Sequence, residues 1–324
     1  MHKHSKIYIA GHQGLAGSAI VRELQRQGYA NLVWRSHAEL DLEDATATLQ
    51  FFQQQRPDIV FLAAAKVGGI HANNSYPVDF LMSNLLIETN VCRAAYAAGV
   101  KRLIFLGSSC IYPRDCPQPI KEDYLLTGAL EPTNRAYALA KIAGIEMCWS
   151  YNRQYGTTWL AAMPTNLYGS GDNYDLNNSH VLPALIRKIH EAKTADVAEV
   201  VLWGSGTPKR EFLYVDDLAN ALVFLAALDE DSYNALTQAE RCPLINVGTG
   251  EDLTIRELAD TIAEVIGYSG RFIQDTSKPD GTPRKILDVS RINQLGWKAQ
   301  IALSAGIRLT YQAFASSLGS SLSR

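Results

Sequence analysis

The chain has 324 residues, 47% of them hydrophobic, and a formal net charge of -3. That length exceeds one ordinary domain and can bury a large core, while the lack of a basic field argues against non-specific nucleic-acid binding. Five cysteines, an odd number without a CxxC pair, suggest neither a disulfide framework nor a zinc or other metal site and point to a reducing cytoplasm. No apolar run approaches the roughly 18 residues of a membrane helix, and the polar residues 1–6 do not read as a signal peptide.

A first strand is expected over 7–10, running directly into Gly11, Gly14 and Gly17 and a helix over 15–27. Strand, glycine turn and helix make a dinucleotide-binding pattern. Gly11 permits the sharp turn, Gly14 lets backbone approach a pyrophosphate at the helix N-terminus, and Gly17 lets the helix lie close on the sheet. The spacing is GxxGxxG instead of GxGxxG, and glycines also punctuate ordinary turns. Further strands read over 31–34, 59–62, 102–106 and 158–163, with helices near 45–55, 78–98 and 134–155. Strand and helix in strict alternation predict an α/β fold with a doubly wound parallel sheet.

Ser108, Ser109 and Cys110 follow the fourth strand, at the carboxyl end where open sheets bind ligands. Ser108 can donate a hydrogen bond to a carbonyl oxygen there, or serve only as a turn hydroxyl satisfying its own backbone. Cys110 reads as a small buried hydrophobe or, with its thiolate stabilised, as a base for a carbon acid. On the next helix Tyr137 and Lys141 stand four apart and share a face, so the ammonium is expected to lower the phenol from its free value of about 10 towards general acid/base use. A surface Tyr and Lys with no shared role is the alternative. Past Pro164 the pattern loosens; a helix is expected over about 180–193, and the C-terminal third mixes short strands with helices, one opening on a capping box at Thr254 and Glu257. Arg187 and Lys188 on the first of those helices, with Trp203 and Arg210 beyond it, combine cations with an aromatic ring, suited to a diphosphate and a sugar or base, or else simply solvated.

The glycine turn with Ser108, Tyr137 and Lys141 resembles the extended short-chain dehydrogenase/reductases that act on nucleotide sugars. More narrowly, residues 63–70, 107–113, 164–169, 178–181 and 278–285, spread over nearly the whole chain, are similar to those of the GDP-L-fucose synthases. The resemblance implies a Rossmann sheet from residues 1–165 with a return over about 211–248, and a smaller mixed α/β substrate-binding part from 166–210 and 249–324. It implies NADPH-dependent 3,5-epimerisation and 4-reduction of GDP-4-keto-6-deoxy-D-mannose to GDP-L-fucose. The catalytic set it implies is Ser108, Cys110, Tyr137, Lys141 and His180. Cys110 is then the base and His180 the acid for inversion at C3 and C5, Ser108 and Tyr137 hold the oxyanion, and Tyr137 donates the proton in reduction. Lys141 holds the phenol and the nicotinamide ribose. For His180 a structural hydrogen bond at a helix N-terminus is the other reading.

Implied cofactor contacts are Gly11, Gln13, Gly14, Leu15, Gly17, Arg35, His37, Ala63, Ala65, Lys141, Pro164, Asn166, Leu167 and His180; implied substrate contacts are Ser109, Arg187, Trp203, Arg210, Asp280 and Lys285. Relatives commonly carry arginines where Gln13 and His37 stand, which leaves Arg35 as the nearby fixed cation. Without Asp or Glu at the end of the second strand NADP(H) is still expected, with weaker discrimination against NADH that depends on protonation of His37. A 4,6-dehydratase is disfavoured because Ser109 and Cys110 offer no acid. A UDP-sugar 4-epimerase with retained NAD usually carries an acid where Arg35 stands, and a dinucleotide-binding sensor without turnover leaves the Ser-Cys-Tyr-Lys-His set idle. The long helices over 78–98 and 134–155 suggest a homodimer built on a four-helix interface.

Overall fold

The computed structural model describes residues 1–321 apart from Asn177, Ala239 and Pro279. Its first half runs β1 (Ile7–Ala10), α1 (Leu15–Arg26), β2 (Leu32–Val33), α2 (Ala45–Gln55), β3 (Ile59–Leu62), α3 (Ile70–Ser75), α4 (Pro77–Ala97), β4 (Arg102–Leu106), α5 (Arg135–Tyr155) and β5 (Thr158–Pro164). β1 and β3 are buried at every position, as short unbroken apolar runs must be when helices cover both faces of a parallel sheet. β2 is shorter than the expected 31–34, because it is the sheet edge and pairs with β1 alone, at two positions. α2 starts where Asp44 accepts the amides of Thr46 and Ala47 at 2.8 and 3.0 Å, and α5 stops at the left-handed Gly156.

The second half runs β6 (Asn166–Tyr168), α6 (Val181–Thr194), β7 (Glu199–Trp203), β8 (Lys209–Arg210), β9 (Phe212–Tyr214), α7 (Val215–Ala227), α8 (Glu230–Thr237) and β10 (Leu244–Val247). It continues through β11 (Leu253–Thr254), α9 (Ile255–Ile266), β12 (Arg271–Asp275), β13 (Arg284–Lys285), α10 (Ser290–Gln294) and α11 (Leu303–Ser321). The capping box that opens α9 is formed on both sides, as expected. No described helix is long and apolar enough to cross a membrane.

The main sheet is ordered β10-β5-β4-β3-β1-β2 with every neighbouring pair parallel. The chain leaves β1 in one direction to β2 and returns on its other side to β3, so a crevice opens at the carboxyl ends of β1 and β3, where Gly11 and Ala63 follow. A second hydrophobic cluster joins α6 (Leu182, Leu185, Ile186, Ile189) to α9 (Leu258, Ile262, Ile266) and α11 (Ile307, Phe314). After β13 the chain returns to the sheet: Leu287, Val289, Ile292 and Trp297 pack in the first core.

Glu211, fully buried between β8 and β9, ties together segments that follow β5, β10 and β13. Its Oε1 accepts the amides of Thr249 and Gly250 at 2.6 and 2.8 Å, its Oε2 accepts that of Leu287 at 2.8 Å, and its carbonyl accepts Thr165 Oγ1 and Asn166 Nδ2. Burial raises the carboxyl pKa, and the Leu287, Gly250 and Thr249 amides pull the other way. Gly248 must lack a side chain, since a Cβ there would stand 2.2 Å from Oε1. Glu211→Gln keeps the volume but turns an NH2 towards backbone N–H groups, so it is expected to cost about 2 kcal/mol or more, read as a lower urea midpoint at unchanged m-value.

Candidate active site

The glycine turn is built by contact. Gly11 is left-handed at φ 82°, and a Cβ there would meet the Ala64 backbone at 2.8 Å; a Cβ on Gly17 would lie 2.0 Å from the Gly11 carbonyl oxygen. Gly14 is different: it heads α1 with no side-chain cap, and a Cβ on it would meet only the Gly11 oxygen, at 3.4 Å. The protein therefore leaves space in front of an uncapped helix N-terminus, whose free N–H groups and positive dipole end fit a pyrophosphate. Gln13 is exposed beside it and Leu15 half-buried. Ala63 and Ala65 are half-buried after β3; Pro164 is buried and Leu167 half-buried after β5, and the Asn166 amide is tied to Glu211.

At the end of β2, Arg35 is exposed, donates to the Trp34 carbonyl at 2.7 Å and lies 5.6 Å from the Phe51 ring. His37 Nδ1 is 3.8 Å from Asp41. Arg35 follows the strand as expected, and an acid comes near it from the loop beyond. Glu39 folds back to accept the backbone and hydroxyl of Ser36 at 2.7 and 2.8 Å, and those bonds, helped by the Arg35 and His12 charges, lower its pKa. His12, absent from the sequence reading, stacks on Trp34 at 5.7 Å.

Ser108 begins the short turn after β4, its Oγ accepting the Cys110 amide at 3.4 Å. The same side chain acts on both the Tyr137 phenol and the Cys110 thiol, favouring the ionised form of each, so its turn role and its chemical position coincide. Lys141 is almost wholly buried; its Nζ donates to the Leu106 carbonyl at 3.0 Å and pairs with Glu88 Oε1 at 3.2 Å. Here the structure departs from expectation: the Tyr137 pKa lies well above the usual phenol range. Burial is the chief cause, the Cys110 and Glu88 charges add to it, and the Ser108 side chain opposes it; the Lys141 charge is turned to Glu88.

Burial likewise raises the Cys110 thiol, against the Lys285 charge, the Ser108 side chain and the Lys141 charge. His180 heads α6 without capping it. It keeps an exposed surface, yet protein surrounds it on most sides, and this desolvation together with the Lys285 charge lowers its pKa. Lys285, expected at a diphosphate, thus acts on both the thiol and the imidazole, and its own pKa is lowered by burial.

On the outer rim Trp203 is 61% exposed, with Lys188 Nζ at 4.7 Å and Lys278 Nζ at 5.6 Å from its ring centre. Arg210 pairs with Lys285 in the β8–β13 register and donates to the Thr282 carbonyl at 2.6 Å. Asp280 closes the turn after Trp203, accepting Ser205 N at 2.9 Å and Ser205 Oγ at 2.7 Å. Arg187 does not join this group: it pairs with Glu191 at 2.7 Å and donates to the Tyr174 carbonyl at 3.1 Å, beside His190 and Phe314. Successive helix residues are turned by about 100°, so only Lys188 of the pair faces Trp203. The signal was present in Glu191, four residues after Arg187 and hence its helical ion-pair partner. Ser109 is 5% exposed and offers a ligand little surface.

Residues 7–235 match the model of the NAD dependent epimerase/dehydratase family. The chain is 56% identical over 309 residues to a GDP-L-fucose synthase of Escherichia coli (strain K12), covering 95% of this chain and 96% of the relative. The chain belongs to the GDP-L-fucose synthase family. A GDP-D-glycero-L-gluco-heptose synthase from Campylobacter jejuni, solved in the presence of NADPH, superposes with a TM-score of 0.90 at 36% identity, over 97% of this chain and 99% of that one. A GDP-L-fucose synthetase from Naegleria fowleri bound to NADP gives a TM-score of 0.85 at 27% identity, over 98% and 96%. Like other GDP-L-fucose synthases the chain takes a nicotinamide dinucleotide, and the space before α1 fits its pyrophosphate.

Two glycine variants separate fold from binding. Gly17→Ala is expected to destabilise the protein by about 1–3 kcal/mol, the usual range for overpacking. Gly14→Ala is expected to leave stability within about 0.5 kcal/mol and still weaken dinucleotide binding in calorimetry, because its methyl enters the ligand's space. Undiminished binding by the Gly14 variant would contradict that geometry.

Proposed function

We propose that this chain carries out the NADPH-dependent 3,5-epimerisation and 4-reduction that convert GDP-4-keto-6-deoxy-D-mannose to GDP-L-fucose. The observation that carries the reading is the placing of the Ser108 hydroxyl where it acts on both a thiol and a phenol, since carbon-acid chemistry and ketone reduction on this sugar need the same oxygen held. The C4 ketone acidifies the C–H bonds at C3 and C5, and a donor aimed at O4 stabilises the enolate. Ser108 and Tyr137 are that pair of donors. Cys110 and His180 move the protons during inversion, and the Lys285 charge favours the Cys110 thiolate and opposes the His180 imidazolium.

NADPH, when bound, supplies hydride to C4. Tyr137 then gives its proton to O4, a task suited to a phenol whose surroundings keep it protonated. Gly11, Gly14 and the N-terminus of α1 would hold the pyrophosphate, Lys141 the nicotinamide ribose, and Arg35 with His37 the 2′-phosphate. The NADP-bound relatives support that choice of cofactor; Glu39 and Asp41, close to these cations, favour weak discrimination against NADH. Lys188, Trp203 and Arg210 are the proposed contacts for the GDP end, with the sheet half, residues 1–165 and 211–248, binding the dinucleotide.

Five free thiols fit a reducing compartment. A second copy of the chain is the proposed cover for Val78, Met82 and Leu86 on α4 and Leu139 on α5, which are exposed by 68, 46, 39 and 40%. Light scattering is expected to give twice the chain mass at micromolar concentration; a monomer there rejects this dimer.

One observation favours a second assignment within the same reaction. Burial keeps the Cys110 thiol protonated and the His180 imidazole neutral, so the imidazole is the readier base and the thiol the readier acid. The sign of the pH response separates the two. With the thiol as base, solvent-deuterium exchange at C3 and C5 climbs as pH rises and the thiol ionises. With the imidazole as base, exchange is already full at neutral pH and falls only as pH drops through its lowered value.

Incubation with the 4-keto sugar and NADPH, with NMR assignment of the product, tests the activity itself. Cys110→Ser is expected to lower exchange while a sugar already epimerised is still reduced, and Tyr137→Phe to lower reduction on the order of 100-fold or more. Reduction within a few-fold of wild type in the Phe variant would remove Tyr137 as the donor.

A further inference from the structure

Glu88 takes part in no step above, yet it is among the most enclosed charged groups of the site. Its side chain on α4 is 1% exposed, and its Oε1 lies 3.2 Å from Lys141 Nζ, itself 2% exposed. Beyond this ion pair neither carboxylate oxygen meets a donor in hydrogen-bonding geometry. The space exists because residue 144 is glycine: a Cβ there would stand 2.9 Å from Glu88 Oε2 and 2.3 Å from the Phe105 ring.

The groups acting on this carboxyl come from three elements. α5 brings Lys141, Tyr137 and Cys148, α4 brings Cys92, and β4 brings the Phe105 ring and the Leu106 carbonyl that accepts another Lys141 proton. Lys141 is the cation that faces it. An ammonium near a phenol favours phenolate, and a carboxylate in contact with that ammonium offsets the effect. A reductase needs the opposite of phenolate, a phenol that still carries its proton.

We propose that Glu88 is a positioning residue of the acid/base couple, holding the Lys141 ammonium on the α4 side and offsetting its charge so that Tyr137 serves as a proton donor. Burial pushes the Glu88 carboxyl up to about 7 against the pull of Lys141, and its charge is one of the causes that raise Tyr137. The purpose assigned to this arrangement rests on the reductase reading; the electrostatics do not.

The test therefore has an arm without cofactor or sugar. With tyrosine labelled at Cζ with 13C and the Tyr137 signal identified by Tyr137→Phe, the phenol is titrated in wild type and in Glu88→Gln. The Gln variant is expected to ionise Tyr137 at lower pH. In turnover with an already epimerised 4-keto sugar, the alkaline limb of kcat/KM is expected to move to lower pH in the Gln variant, and kcat to fall while KM for the sugar stays within about twofold. An unmoved phenol titration overturns the proposal. If the Gln variant does not fold, Glu88→Asp, which draws the charge back from Lys141, is expected to move the titration the same way by less, and no movement there overturns it equally. A wild type that leaves the GDP-sugar unreduced refutes the assigned reaction and still lets the Tyr137 titration decide Glu88.

Discussion

One buried carboxylate holds three distant segments of this molecule in register. Glu211 gathers backbone amides from the segments after β10 and after β13, and its own carbonyl gathers the side chains that follow β5. A charge removed from water is tolerated only when its lone pairs are filled, so each donor segment is held to hydrogen-bond tolerance. Arg210 precedes Glu211 directly, Lys285 lies two residues before Leu287, and Asn166 borders the dinucleotide crevice. A shift of either amide segment by a single residue would leave one Glu211 carboxylate oxygen without its donors.

Within the cleft, desolvation dominates over pairwise charge. It raises Tyr137, Cys110 and Glu88 and lowers His180 and Lys285, so in each case burial favours the neutral form. Burial thus draws the phenol and the thiol away from the imidazole in proton affinity, and smaller electrostatic terms adjust how far. The contacts of Lys141 with Glu88 and the Leu106 carbonyl, and the field of Lys285, are such terms.

The sequence disclosed what depends on local periodicity. β1, β3 and β4 were legible to the residue because unbroken apolar runs bounded by turns leave one reading, and the α9 capping box because its partners are three residues apart. Ser108, Tyr137 and Lys141 were legible through their spacing and their places after a strand and on a helix. What stayed hidden depends on tertiary partners. Glu88 looks like a solvent-facing helix residue until Gly144 of another helix makes room for it, and Glu211 sits in a charged run with Lys209 and Arg210 that reads as surface. Glu39 reaches the end of β2 only because its loop folds back onto Ser36. The choice between Arg187 and Lys188 needed the rotation of α6, although Glu191 already hinted at it.

The Ser108 hydroxyl owns a single proton, so at any instant it can donate to one neighbour only, while its oxygen remains free to accept from another. Thiol and phenol therefore answer to one oxygen, and whatever alters it reaches both branches at once. An enzyme engineer wishing to keep one activity and discard the other would gain nothing by replacing Ser108. Separation has to be sought at the two branches, Cys110 and Tyr137, since the stem belongs to both.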